Sequence, residues 1–509
     1  MNILENIQHY ANTIPERIAI QSGADHLTYG ELWEYSDRIA SWLLENNPSP
    51  GEPIPVYGHK HPWMIACFLG CVKAGCAYCP IDTSVPAKRT QSILEALSSG
   101  LVIALEPLET SLPQKQLLTA GMLEEILFET PAEATSIPDN ENWVNGASDF
   151  YLIFTSGSTG TPKGVQISAD CLNHFLEWSI TLIDRQNSLV FLNQAPFSFD
   201  LSVMDLYTCL AVGGTLYCLT KTVQSGYALL MQALEASRAA VWVSTPSFVD
   251  MCLSEHRFCA DLLPALTTFL FCGETLANGT VKRLQERFPD ADIYNTYGPT
   301  ESTVAVTQIL VTPERNALEN PLPVGCARPG TRLVILDENH QPLPEGEKGE
   351  ITIIGDTVST GYYHAPELTK QAFFLQEDPS GRALRGYRTG DRGYLKNGLL
   401  YYCGRMDLQI KLHGYRIELE DIENNLRKLP QIRHAVVLPN HRNGKVSSLT
   451  AFVEAQSLPE NTKDASLHIR QQLAAFLPDY MIPKKYIFLE QMPMTGNGKA
   501  NRRLLEAQR

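Results

Sequence analysis

The stretch Tyr151–Gly164 reads YLIFTSGSTGTPKG. Tyr151–Phe154 is an apolar run that leads into a loop with Thr155, Ser156, Ser158, Thr159 and Thr161, three glycines and Lys163. Glycines let a backbone approach a phosphate chain closely, hydroxyls donate to its oxygens, and one ammonium offsets its charge. A flexible surface loop would share the glycines and hydroxyls. The strand before the loop and the single lysine within it favour phosphate binding. A Walker loop would require GxxxxGK[ST]. Counted from Gly157, Pro162 stands at the second glycine and Gly164 at the Ser/Thr, so the chain is not a P-loop NTPase.

Similar apolar runs follow this one along the chain. Val241–Val243 and Thr268–Phe271 are short, continuous and separated by helical stretches, a texture that predicts buried parallel strands in α/β layers. Thr28 and Glu31 form a capping-box pattern, after which Leu32, Tyr35, Ile39 and Leu43 share one helical face. From about Val324 the texture changes. Arg332–Leu336 and Glu350–Ile354 flank the turn-rich DENHQPLPEGEKG and predict antiparallel strands, and Gly381–Gly404 is dense in glycine and tyrosine. Beyond Arg405, Ile417–Leu426 and Leu467–Leu477 read as helices, and His434–Leu438 and Leu449–Val453 as strands. The expected division is therefore 1–405 and 406–509, the second part a compact α+β unit.

The 509 residues are 44% hydrophobic and 19% charged, the composition of an ordinary globular protein with sizeable cores. With 41 Lys and Arg against 56 Asp and Glu, the net charge is −15, which argues against a general nucleic-acid binder. Glu5 stands where an export signal would carry a base, and no run approaches the ~18 apolar residues of a membrane span. The 12 cysteines are scattered, the pattern of reduced thiols in a cytoplasm. Cys76 and Cys79, with Cys67 and Cys71 upstream, lack a second CxxC or a paired histidine, so they read as small buried residues at a helix-to-strand junction.

Further blocks follow in order: FSFDLSVMD (Phe197–Asp205), NTYGPTE (Asn295–Glu301), YRTGD (Tyr387–Asp391), GRMDLQIKLHGYRIE (Gly404–Glu418) and NGK (Asn497–Lys499). Together with YLIFTSGSTGTPKG they resemble the adenylate-forming superfamily of acyl-CoA synthetases, luciferases and amino-acid adenylation domains, across nearly the whole chain. More narrowly, NQAPFSFDLSVMDLY, FCGE and NTYGPTESTVAVT are similar to the D-alanine–D-alanyl carrier protein ligases, which begin lipoteichoic acid D-alanylation. The resemblance implies an α/β fold: a large N-terminal domain of layered α/β subdomains with a small β-barrel-like part, and a smaller, mobile α+β C-terminal domain.

It also implies a two-step reaction. A carboxylate attacks the α-phosphate of ATP to give an acyl-adenylate and pyrophosphate, and a thiol then attacks the acyl carbon and releases AMP. Both nucleophiles come from substrates, so the protein supplies positioning and charge stabilisation, in keeping with the absence of a GxSxG elbow.

Carried over motif by motif, the ATP site comprises Thr155, Ser156, Lys163, Asn295, Thr296, Tyr297, Gly298, Pro299, Thr300, Asp391, Tyr402, Cys403, Gly404 and Arg405. Asp391 offers a fixed acceptor pair for the ribose hydroxyls, and Tyr297 a flat ring for stacking. Glu301 is the expected Mg²⁺ carboxylate, for an ion that needs only one or two besides phosphate oxygens. Asp200, in a largely apolar and hydroxyl-rich block, is expected by the same resemblance to pair with a substrate α-ammonium. That separates amino-acid activators from fatty-acid and luciferin activators, which have no ammonium to bind. The surrounding pocket includes Leu201, Met204, Cys272, Thr296, Val304 and Ala305, with Cys272 a wall rather than a nucleophile. Lys499 is the expected catalytic lysine, contacting both ATP and the attacking carboxylate. Asp407 is the expected hinge, about which rotation would exchange Lys499 for the Lys411–Tyr415 segment between half-reactions.

A fused carrier domain would need roughly 70–80 further residues, but ten follow Lys499. The expectation is therefore a separate carrier protein, bearing the phosphopantetheine and docking in trans, with D-alanine as substrate and no nucleic acid or membrane insertion. Another small amino acid is the alternative. The charge is unevenly divided: from Met406 to Arg509 there are 15 bases and 11 acids, or +4, leaving −19 for the remainder. An acidic carrier would accordingly meet the small basic domain, near Lys484–Lys485 or Arg502–Arg503.

Overall fold

The protein is described by a computed structural model covering residues 2–110, 112, 114–129, 140–156, 162–184, 189–378, 380–442, 445–455, 461–494 and 500–507. The chain divides into two compact units. The larger comprises Met1–Thr83, Ala96–Ile153 and Gly164–Met406, and the smaller Ser84–Glu95, Phe154–Lys163 and Asp407–Arg509.

Two large sheets dominate. In one, six strands run parallel in the order Asp292–Tyr297, Thr268–Phe271, Val241–Ser244, Val190–Asn193, Thr215–Cys218 and Ile18–Ser22, with antiparallel strands at both edges. Val241–Ser244 and Thr268–Phe271 are buried along their whole length, as strands covered on both faces must be. The other sheet has seven strands, ordered Gly361–Tyr362, Lys163–Ser168, Asp149–Thr155, Tyr78–Ile81, Ile54–Tyr57, Leu101–Ala104 and Gln116–Thr119. Between the layers, the helix Leu201–Ala211 is buried on every side, so its apolar residues show no polar face.

The helix Tyr29–Asn46 begins on the expected capping box, with Thr28 and Glu31 satisfying each other's backbone N–H. The CxxC cysteines lie where the helix Pro62–Lys73 gives way to the strand Tyr78–Ile81. They are free and buried, and burial pushes the Cys79 thiol up. Arg332–Leu336 pairs antiparallel with Glu350–Ile354 as expected, inside a five-stranded antiparallel sheet completed by Phe373–Glu377, Ala383–Lys396 and Leu399–Arg405.

In the smaller unit, Ile432–Arg442 and Lys445–Ala455 form an antiparallel pair, with Lys485–Leu489 parallel to the second strand. The helix expected from Ile417 begins only at Leu419. His413 (φ 53°) and Gly414 (φ 83°) instead turn a tight hairpin between Gln409–Leu412 and Tyr415–Glu418, which takes Ile417 and Glu418 into a strand. The helix expected over Leu467–Leu477 spans Thr462–Leu473. Asn461 caps it by accepting from the N–H groups of Lys463 and Asp464, a local signal stronger than the apolar pattern, which marks only Ile469 and Leu473.

Candidate active site

The segment Asn295–Ala305 is the spine of the site. It leaves the C-terminal end of a parallel strand, where open α/β sheets place their ligand crevices. The Asn295 carboxamide donates to the Pro323 carbonyl at 2.8 Å, and the Thr296 hydroxyl to the Phe271 carbonyl at 2.9 Å, so both fix backbone. Gly298 passes so close beneath the returning chain that a Cβ there would lie 2.5 Å from the Ala305 Cα. The single turn Thr300–Ser302 follows, and then Thr303 (φ 60°) and Val304 (φ 65°) adopt the left-handed conformation. Two adjacent β-branched residues there cost of order 1–3 kcal/mol each, held by surrounding contacts. One such contact is the Thr303 hydroxyl, which donates to the Thr357 carbonyl at 2.8 Å.

From this spine the first cluster reaches Asp391. The Tyr297 hydroxyl donates to Asp391 Oδ2 at 2.6 Å, while Arg405 donates to Asp391 Oδ1 at 3.0 Å and to the Thr389 carbonyl at 2.7 Å. The Tyr402 ring lies 5.8 Å from that of Tyr297, tilted by 39°. Burial, followed by the Asp391 charge, raises the Tyr297 phenol well above its ordinary value, so it remains a donor. Cys403 is exposed, and Gly404 takes φ 104° just before Arg405.

The second cluster centres on Asp200, 9% exposed at the N-terminus of the helix Leu201–Ala211. Its carboxylate makes no capping bond to the helix and instead accepts from the Thr300 hydroxyl at 2.6 Å. Leu201, Met204, Cys272, Thr296, Val304 and Ala305 are all buried, and the Cys272 thiol points to the Val304 carbonyl at 3.7 Å. A carboxylate in such a setting must be compensated. Tyr151, the first residue of the glycine-loop stretch, has a buried hydroxyl with no partner among the described residues, and the Asp200 charge acts on it.

Glu301 forms the third feature. It is fully buried, its Oε1 accepts from the Tyr362 hydroxyl at 2.8 Å, and its backbone carbonyl accepts from Ser359 N–H at 2.9 Å. No group of three or more His, Cys, Asp or Glu gathers among the described residues. One hard carboxylate is the donor set that suits Mg²⁺ carried on phosphate oxygens, rather than an ion caged by protein.

At the glycine loop, the Thr155 hydroxyl is buried with no partner among the described residues. Ser156 Oγ donates to the Arg416 carbonyl at 2.9 Å and accepts from Glu418 N–H at 3.3 Å. Burial raises the Glu418 carboxyl, with Lys163 among the positive groups opposing the shift. Residues 157–161 and Lys499 lie outside the described residues. Asp407, exposed, accepts from Gln409 N–H at 3.0 Å.

Sequence reasoning passed over Tyr151, Tyr362 and a buried node around Lys60. Lys60 Nζ donates to the carbonyls of Asn193 (3.0 Å) and Gln194 (2.8 Å), and Asn193 Nδ2 donates to both carboxylate oxygens of the buried Asp205 at 2.9 and 3.1 Å. In sequence Lys60 looks like a solvated loop cation. Asp205, alone in a helix of apolar neighbours, was the available signal.

Comparison with known proteins identifies the family and the fold. The profile of the AMP-binding enzyme family matches residues 7–363, and that of the AMP-binding enzyme C-terminal domain matches residues 421–499. The chain is 45% identical to a D-alanine--D-alanyl carrier protein ligase of Bacillus licheniformis, with 99% of each chain covered. It is 46% identical to the protein of that name from Bacillus cereus, again over 99% of each. Among solved structures, an NRPS protein containing adenylation and PCP domains superposes with a TM-score of 0.83 at 26% identity, covering all of this chain and 84% of that one. The Vibrio cholerae adenylation domain AlmE, solved with glycyl-adenosine-5'-phosphate, superposes at 0.79 with 22% identity, over 99% and 97% of the two chains, a likeness of fold.

Proposed function

Since the chain belongs to the AMP-binding enzyme family, we propose that it is an AMP-forming ligase that activates D-alanine and transfers it to a separate D-alanyl carrier protein. In the first step a carboxylate oxygen of D-alanine attacks the α-phosphorus of ATP, and pyrophosphate departs. In the second, the phosphopantetheine sulfur of the carrier attacks the carbonyl carbon of D-alanyl-AMP, the acyl C–O bond breaks, and AMP leaves. The observation that carries the reading is the identity of 45–46% to ligases of this name over 99% of both chains.

The site chemistry agrees. Asp200, desolvated and oriented by Thr300, is a counter-ion for the α-ammonium of an amino acid. The buried side chains around it suit a small substrate side chain. Asp391, set by Tyr297 and Arg405, would receive the ribose hydroxyls, with the remaining Asn295–Thr300 residues and Tyr402–Gly404 around the nucleotide. Thr155, Ser156 and Lys163 would face the phosphates, the Thr155 hydroxyl, which has no partner among the described residues, being a donor in waiting. Lys499 would bridge the attacking carboxylate and the α-phosphate, and Asp407 would serve as the hinge. Glu301 would hold Mg²⁺, which on binding neutralises phosphate charge.

Carrier docking falls to the exposed bases of the smaller unit. Lys484, Lys485 and Arg503 are exposed. Arg502, half-buried, already donates to Glu423 at 2.5 Å and to the Val437 carbonyl at 2.9 Å, which favours the other three for the role. A cytoplasmic location suits the twelve free cysteines. Among the described residues no helix is long and apolar enough to cross a membrane.

The test is amino-acid-dependent ATP–pyrophosphate exchange across a panel of D- and L-amino acids, followed by loading of a purified holo-carrier. Exchange should be strongest with D-alanine. A stronger response to glycine, L-alanine or a larger residue would transfer the assignment to that substrate.

A further inference from the structure

Glu301 is held from one side by a single short stretch of chain. Ser359 N–H donates to its backbone carbonyl at 2.9 Å, and the Tyr362 hydroxyl donates to its side chain at 2.8 Å. The neighbouring Thr357 carbonyl accepts from Thr303 Oγ1, two residues beyond Glu301. Residues 357–362 therefore brace the Thr300–Val304 turn at three points.

Tyr362 is itself firmly set. Its N–H donates to Thr369 Oγ1 at 2.9 Å, its ring meets Phe373 edge-on at 5.4 Å, and its hydroxyl lies 3.5 Å from that of Tyr387. Gly361, just before it, takes φ 135°, and a Cβ there would lie 2.5 Å from Thr369. A buried phenol fixed in this way has one orientation to offer, and it is spent on one oxygen of a carboxylate. Groups that hydrogen-bond a metal ligand from behind fix its orientation, and their loss typically lowers metal affinity ~10–100-fold.

We propose that Tyr362 is a positioning residue for the reaction: it sets the Glu301 carboxylate in the orientation that receives the Mg²⁺ accompanying ATP. This rests on the assignment of Glu301 as the metal carboxylate. Tyr362 touches neither substrate nor metal, and acts only through Glu301.

The experiment compares Tyr362→Phe, Glu301→Gln and Tyr387→Phe with the unaltered chain. Mn²⁺ binding in the presence of a non-hydrolysable ATP analogue is followed by electron paramagnetic resonance, alongside the Mg²⁺ dependence of pyrophosphate exchange and thermal unfolding. Tyr362→Phe keeps the ring against Phe373 and should unfold near the parent temperature. It should weaken Mn²⁺ about tenfold and raise the Mg²⁺ needed for half-maximal exchange by the same factor, with KM for the amino acid unchanged. Tyr387→Phe leaves the bond to Glu301 intact and should leave Mn²⁺ affinity unchanged. Unaltered Mn²⁺ affinity in Tyr362→Phe, or an equal loss in Tyr387→Phe, would overturn the proposal. If Glu301→Gln also binds Mn²⁺ normally, it is the assignment of Glu301 that fails. If Glu301→Gln loses the metal and Tyr362→Phe does not, only the role of Tyr362 fails.

Discussion

The Tyr297 hydroxyl donates to the Asp391 carboxylate at 2.6 Å, joining the end of a parallel strand to the long antiparallel strand Ala383–Lys396. Arg405 holds the other oxygen, so the orientation of the proposed ribose acceptor is fixed from both sides. Hydrogen bonds to charged groups contribute about 1.5–3 kcal/mol. Tyr297→Phe should therefore raise KM for ATP by about tenfold or more, leave KM for the amino acid unchanged, and be read by exchange kinetics with each substrate varied in turn.

Asp200→Asn should act on the other substrate. Leaving an ammonium without its desolvated counter-ion costs roughly 2–5 kcal/mol, so KM for the amino acid should rise ~30-fold or more while KM for ATP stays within a factor of about two. Isothermal titration of the amino acid against the isolated protein checks the same point without turnover. Equal effects on both substrates would contradict the assignment.

Gly298→Ala tests the spine. The added Cβ would meet backbone, 2.5 Å from the Ala305 Cα and 2.8 Å from the Val304 carbonyl, and no side chain can swing aside to relieve it. Overpacking of this kind costs about 1–3 kcal/mol. The variant should unfold several degrees lower and lose activity towards both substrates together, as measured by thermal scans and exchange.

Lys60 supplies a pH dependence. Burial lowers its ammonium from 10.5 to about 8 against the opposing pull of Cys218, Asp205 and Asp82. Between these two values the unfolded chain binds the proton and the folded chain releases it, so this group's contribution to stability rises with pH across that window. At 1.36 kcal/mol per unit, the change is about 3 kcal/mol. Denaturant titrations should show Lys60→Met gaining on the parent below pH 8 and losing that advantage by about pH 10.5.

Charge reversal at Lys484 and Lys485, both exposed, should raise the KM for carrier several-fold and leave adenylation intact. The effect should shrink as salt rises through the screening range. Carrier loading indifferent to both the reversal and the salt would move the docking surface elsewhere.

By itself, the sequence determined the features that depend on neighbours along the chain. The buried parallel strands are continuous apolar runs, the Thr28–Glu31 box starts its helix, and the CxxC cysteines sit at a helix-to-strand junction. Asp200 stood out in the sequence through the resemblance of its block to amino-acid adenylation domains, since a carboxylate among apolar residues did not by itself separate it from Asp205. Tertiary structure decided what each candidate touches. Thr300 meets Asp200 across 100 positions, Tyr297 meets Asp391 across 94, and Tyr362 meets Glu301 across 61. It also spent Arg502 on Glu423 and drew Ile417 out of its helix into a hairpin. Periodicity and capping record which face of an element is buried, because burial repeats with the element's own pitch. A hydrogen bond between distant side chains leaves no such repeat, and exists only once packing has removed the water that would otherwise satisfy both partners.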